Sequence, residues 1–264
     1  NEAPTFYAFE ETLGQGFVIV AGDGENARIL GYSFDSNLPK ASEMPDGLAD
    51  MLAATDAQVK AVRSGAASVS VKAATPVGNV VVNLNTAPWG QRAPFNNLCF
   101  TSTGASAATG CVPTAYSILM FHHKWPVAAK STIVYHPGTG EAHQIGYEYD
   151  WDNMISNYSG TYSEAQAAAV ATLMRDFGYA NGVAYGTSET GGNESATTLV
   201  NYFKYKSETP RNTGAAEAYV TGRDIVADDT KWKQYIKESL DAGCPIPYSS
   251  STTGGGRHVF ICDG

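Results

Sequence analysis

From Ser64 to Gly78 the chain loses its hydrophobic pattern, and small or polar residues replace the periodic apolar positions found on either side. Such a stretch suits an exposed connection that a protease can reach, and it constrains the fold by dividing the sequence into two units. Residues 1–72 make the first and residues 73–264 the second. In the first, residues 5–33 read as short strands separated by turns at Leu13-Gly14-Gln15-Gly16 and Gly22-Asp23-Gly24. A helix follows from about Pro45, with Leu48, Leu52, Val59 and Val62 on one face.

The second unit places helices before strands. After Gly110, the run Cys111-Val112-Pro113-Thr114-Ala115 predicts a loop entering a helix, capped by Thr109 or Cys111. Pro113 suits its first turn, and Ala115, Tyr116, Leu119 and Met120 supply an apolar face. Ser163-x-x-Gln166 is a capping box for a helix bearing Ala167, Val170, Met174 and Phe177, with Gly178 as the expected stop. Further helices are expected near 195–204 and 229–242, and the tail reads as strand, Gly-rich turn, strand. This order is that of an α+β fold. No internal repeat or low-complexity tract interrupts it.

Composition removes several function classes. Seventeen Lys and Arg against 26 Asp and Glu give a formal net charge of −9, without the clustered cations that phosphate contact needs. No nucleic-acid partner is therefore expected. No apolar run reaches the ~18–20 residues that cross a bilayer, so no membrane span is expected. The sequence shows no signal peptide, and the chain is expected to begin after one was removed. Its 264 residues are enough to bury a sizeable core.

The chemistry concentrates on Cys111. A thiol at a helix N-terminus meets unpaired N–H groups and the positive end of the dipole, and both favour the nucleophilic thiolate. His258 lies on a predicted strand 147 residues later (258 − 111), inside the ~130–150 that papain-like enzymes place between nucleophile and base. Upstream, Gln91 in Pro88-Trp89-Gly90-Gln91-Arg92 can offer a side-chain N–H to an oxyanion, beside the backbone N–H of Cys111. Gly254-Gly255-Gly256, next to the histidine, either lets substrate backbone approach at Gly255 and Gly256 or is simply a flexible turn. Cys99, Cys244 and Cys262 form no CxxC pair. Cys244 and Cys262 would lie near one another across a terminal hairpin, where reduced thiols are favoured over a disulfide. His122, His123, His136 and His143 lack metal-ligand spacing, so no metal and no cofactor are expected.

These residues resemble the streptopain family of secreted bacterial cysteine proteases. The likeness is carried by Ala108-Thr109-Gly110-Cys111-Val112-x-Thr114-Ala115, Ile118-Leu119-Met120-x-His122, Trp125-Pro126 and Gln91-x-x-Pro94-Phe95-Asn96. It continues at Tyr149-x-Trp151-x-Asn153-Met154, Leu173-Met174-x-Asp176-x-Gly178, Tyr185-Gly186 and His258-Val259-Phe260-Ile261-x-Asp263-Gly264. Phe6-Tyr7-Ala8-Phe9, Gly16–Asp23 and Ile29–Ser33 look like the inhibitory propeptide of that family. The resemblance implies a papain-like core, a helical half plus an antiparallel sheet half, preceded by a small α+β prodomain. It also implies a secreted endopeptidase zymogen acting on protein and peptide substrates, with a preference for a bulky apolar residue two positions before the cut. Cys111 would be nucleophile, His258 base and acid, and Gln91 with Cys111 the oxyanion hole. The prodomain would be the intramolecular inhibitor, and the zymogen would hold His258 out of hydrogen-bond reach of Cys111. A Trp/Gly-rich segment that orients the imidazole would follow the histidine strand, so the 73–264 domain is expected to lack its C-terminal segment. Two other functions fit the same residues: a cysteine amidase or acyltransferase, and a catalytically inactive adhesin or interaction module.

Overall fold

The computed structural model describes residues 3–12, 16–22, 29–33, 37–40, 44, 46–65, 82–187, 190–193, 196–207, 217–218, 227–251 and 257–264. The chain forms two compact units, Asn1–Asn79 and Val80–Gly264. Most of the pattern-poor connection, and Gly254, Gly255 and Gly256, lie outside the described residues.

In the first unit β1 (Phe6–Glu10), β2 (Phe17–Ala21) and β3 (Ile29–Ser33) form an antiparallel sheet in that order. The helix α1 (Asp46–Arg63) buries Leu52 and Val59, two of the positions its periodicity selects. Its polar side chains then tie it to the strand ends. The Thr5 hydroxyl donates to Asp56 at 2.7 Å, and the Arg63 guanidinium donates to the carbonyls of Ala3, Pro4 and Gly22. Gly22 has no alternative residue, because a Cβ there would lie 2.2 Å from the Pro4 carbonyl oxygen.

The second unit is built around α2 (Cys111–His123), in which every residue from Val112 to Met120 is buried. A helix apolar on nearly all sides is an interior helix. Here α3 (Glu164–Asn181) packs against it, with Tyr116 stacked on Phe177 at 5.2 Å and Phe177 on Phe203 at 5.5 Å. The hairpin of β4 (Thr132–Tyr135) and β5 (Ala142–Ile145) adds Val134 and Ile145 to the same core. Next come α4 (Thr197–Tyr202) and the short parallel pair β6 (Lys206–Ser207) and β7 (Glu217–Ala218). They are followed by α5 (Asp229–Asp241) and the antiparallel hairpin β8 (Ile246–Ser251) with β9 (Arg257–Cys262). Val259 of β9 is buried in the core that α2 organises.

The capping box is formed: the Ser163 hydroxyl accepts from Gln166 N while the Gln166 side chain accepts from Ser163 N. Two expectations need correction. The cap of α2 is Gly110, without any side-chain hydrogen bond, rather than Thr109 or Cys111. Gly178 does not stop α3, which runs on to Asn181 and ends at Gly182 in the left-handed conformation. Gly178 serves packing instead, since a Cβ there would meet the Tyr185 hydroxyl at 2.0 Å.

Asp176, fully buried on α3, is held by polar contacts from four neighbours. Arg175 donates to it at 2.8 Å, the Tyr149 hydroxyl at 3.2 Å, and the Tyr147 hydroxyl also donates, while His143 Nε2 lies 3.2 Å away. Burial and then the Asp176 charge push the Tyr147 and Tyr149 hydroxyls well above their usual range. Removing one partner of a buried pair leaves the other uncompensated. Asp176→Ala is therefore expected to destabilise the unit by about 3–5 kcal/mol, measured by denaturant unfolding. A loss below about 1 kcal/mol, the scale of an exposed pair, would show that the contacts are dispensable.

Candidate active site

Cys111 is the first residue of α2, and the backbone feeding it is fixed from several sides. Gly110 has φ 89° and ψ 151°, a conformation that favours glycine. The Thr114 hydroxyl donates its one proton to the Gly110 carbonyl at 2.8 Å, so the buried Thr109 hydroxyl is the donor of the 2.8 Å bond to Thr114. Thr109 N donates to the Gln91 carbonyl at 3.1 Å. That bond places Gln91, half-buried, beside the loop that ends at Cys111.

His258 arrives on β9, paired across the hairpin with Ser250. Its strand is also fastened to the Gln91 segment. Leu84 N donates to the Asp263 carbonyl at 2.9 Å, and the Thr86 hydroxyl donates to the Asp263 carboxylate at 2.7 Å. Asp263 was legible only as part of a family motif. Its position in the structure assigns it the physical task of joining the histidine strand to the chain that carries Gln91.

The structure brings Cys111 and His258 together. Burial pushes the Cys111 thiol up, but a hydrogen bond with His258, a backbone contact at Val259 and the imidazole's charge outweigh it and leave the thiol below its ordinary value. The expected displacement of His258 is thus absent from this conformation. Val259 is buried against the same core as Val112 and Ala115, and this packing carries the neighbouring His258 into reach. Gln91 joins the pair through its backbone, whereas Gly255 and Gly256 lie outside the described residues.

The other thiols are free and differ in kind. Burial raises Cys99 to about 11 and also raises Cys244 and Cys262. The β8–β9 register opposes Cys262 to Ile246, which leaves Cys244 beyond the strand end. Because the thiolate is the reacting form, these directions set an order of reactivity. At neutral pH iodoacetamide is expected to alkylate Cys111 before any other cysteine, with a rate that climbs at a lower pH than the ~8.5 of a free thiol. Peptide mapping of a short time course measures this; faster labelling of Cys244 or Cys262 would refute it.

Comparison with known proteins adds independent information. Residues 89–264 match the model of the Peptidase C10 family, and residues 1–59 match that of the Spi protease inhibitor. The thiol protease/hemagglutinin PrtT of Porphyromonas gingivalis is 27% identical over 285 residues, covering 100% of this chain and 32% of PrtT. Streptopain of Streptococcus pyogenes is 26% identical over 289 residues, covering 98% of this chain and 67% of streptopain. The chain therefore spans about a third of one curated relative and two thirds of the other. Among solved structures, a prointerpain A fragment from Prevotella intermedia aligns with a TM-score of 0.68 at 29% identity, over 100% of this chain and 82% of that one. The active wild-type interpain A cysteine protease of Prevotella intermedia aligns at 0.58 and 32% identity, over 70% of this chain and 76% of that one. The fold is accordingly papain-like α+β with an inhibitor-like N-terminal unit, and the chain belongs to the Peptidase C10 family.

Proposed function

We propose that this chain is the precursor of a secreted cysteine endopeptidase, with Cys111 as nucleophile and His258 as general base and then acid. The observation that carries the proposal is the hydrogen bond between the Cys111 thiol, at a helix N-terminus, and His258 on the adjoining hairpin. His258 takes the thiol proton, the thiolate attacks the scissile carbonyl, and a tetrahedral intermediate forms. The backbone N–H of Cys111 and the Gln91 amide stabilise its oxyanion. His258 then protonates the leaving amine, and water releases the acyl group from the thioester.

Residues 1–72 act as the inhibitor of residues 73–264. A covalently attached inhibitor works at high effective concentration, so scission of the connection weakens it without any change in its contacts. Since the thiol and imidazole already meet in the full chain, latency on this proposal lies in excluding substrate and not in dismantling the pair. The test uses two reagents. A thiol-specific epoxide should label Cys111 selectively in the full chain, and peptide 1–72 added to the processed enzyme should suppress hydrolysis of a denatured protein. Absence of selective labelling would favour an inactive interaction module. Labelling together with turnover of small acyl donors but not of proteins would favour an amidase or acyltransferase.

Gln91→Ala separates oxyanion stabilisation from substrate binding. Loss of one such donor typically lowers turnover ~10²–10³-fold, and KM should stay nearly constant because the amide acts on the transition state. An unchanged kcat would return Gln91 to an ordinary loop residue.

A further inference from the structure

We infer that Thr190 is a positioning residue for Cys111, holding the backbone in front of the nucleophile through its hydroxyl; this rests on the assignment of Cys111 above. The Thr190 hydroxyl reaches the Ala108 carbonyl at 3.1 Å, across 82 residues of sequence. Ala108 is three residues before Cys111, in the segment whose next residue, Thr109, bonds the Gln91 carbonyl. The side chain that makes this bond also closes the space around Gly110, where an added Cβ would lie 2.8 Å from Thr190 Cγ2. One residue therefore grips the entry to α2 twice, by a polar contact at 108 and by a methyl at 110.

A tether positions something only if its own base is fixed, and this base is. Ala184 and Gly191 exchange both backbone hydrogen bonds, Ala184 N to Gly191 O at 2.8 Å and Gly191 N to Ala184 O at 3.1 Å. Two residues on, the Asn181 side chain accepts from Asn193 N at 2.8 Å and donates to Asn193 O at 2.9 Å. The same amide donates to the Thr198 hydroxyl at 3.0 Å, and Asn181 is buried at the end of α3. Gly192 lies against Val112, leaving 3.0 Å between a hypothetical Cβ and the Val112 Cβ. Through Thr190 the end of α3 thus fixes the approach to Cys111, just as Thr114 fixes it from within α2. Displacement of the 108–110 backbone would move both the thiol relative to His258 and the Cys111 N–H relative to an oxyanion, while a distant substrate contact would be little affected.

The experiment compares Thr190→Val, which keeps the shape but removes the hydroxyl, with Thr190→Ser, which keeps the hydroxyl but removes the methyl. Two readouts are taken: the pH dependence of Cys111 alkylation by iodoacetamide on the full chain, and kcat and KM on a denatured protein substrate after the connection of the same chain has been cut. A misplacement of this kind is expected to lower kcat ~10–100-fold for Thr190→Val with KM nearly constant, and to move the alkylation profile toward the ordinary thiol range. Thr190→Ser should restore most of both. If Thr190→Val does not fold, Thr190→Ala replaces it and must show the same shift. Wild-type kcat and alkylation profile in the variant without the hydroxyl would overturn the proposal, as would equal losses in the serine variant. A wild-type chain that is alkylated at low pH yet hydrolyses nothing after the connection has been cut would instead overturn the assigned activity, leaving the alkylation comparison to decide the role of Thr190.

Discussion

Cys111→Ala is expected to lower peptide hydrolysis by ~10⁴-fold or more, the scale on which removing a covalent nucleophile acts. The reason is chemical and not structural. Without sulfur there is no thioester route, and the remaining groups, Gln91 and the N–H of residue 111, can only polarise a carbonyl that nothing attacks. Stability should change by less than about 1 kcal/mol, because Cys111 is half-buried at the edge of the core and loses one atom. The fully buried Cys99 provides the contrast. Its thiol is held neutral by burial, and Cys99→Ala should leave turnover intact while loosening the packing beside Tyr185. Loss of activity on substituting Cys99, Cys244 or Cys262, with Cys111→Ala still active, would reverse the assignment.

Gly110→Ala should be nearly as damaging, through the backbone. Gly110 sits at φ 89° and ψ 151°, outside the regions open to an L residue, and such strain costs about 1–3 kcal/mol. The new Cβ would also stand 2.8 Å from Thr190 Cγ2, closer than packed carbons come. Relief requires rotating the peptide that Thr114 holds by its carbonyl and that leads directly into Cys111. Turnover is expected to fall ~10²-fold along with the melting temperature. Gly182→Ala is the control: its φ of 70° is also positive, but nothing lies within 4 Å of the added Cβ. That change should cost about 1 kcal/mol and leave kcat alone. Equal kinetic effects of the two substitutions would mean that Gly110 matters only as a helix cap.

What the sequence made legible was local. The capping box at Ser163 and Gln166, the apolar face of α1 and the loop-to-helix entry at Cys111 all depend on residues within one or two turns of each other. Misreadings arose where a distant partner decided. Gly178 has the local signature of a helix stop, yet its task is to leave room for the Tyr185 hydroxyl, seven residues on and beyond the end of the helix. Gly110 displaced Thr109 as the cap because Thr109 is turned inward to Thr114. Asp176 stood out only as part of a family motif, since the tyrosines and histidine that surround it come from β5 and the segment after it. The bonds of Thr86 with Asp263 and of Thr190 with Ala108 span 177 and 82 residues. No spacing rule encodes such pairs, so the framework around Cys111 and His258 became readable only in three dimensions.

The central claim is that one chain carries both a cysteine peptidase and its inhibitor, and the intact mass of the purified protein over time tests it most directly. Wild-type chain and Cys111→Ala are incubated side by side with reductant at mildly acidic to neutral pH. The wild type is expected to shed an N-terminal fragment ending within Ser64–Gly78, with hydrolysis of added protein rising as the fragment accumulates. Cys111→Ala should keep its full mass. A wild-type chain that remains whole and inactive, or a Cys111→Ala chain cut at the same rate, would contradict the account.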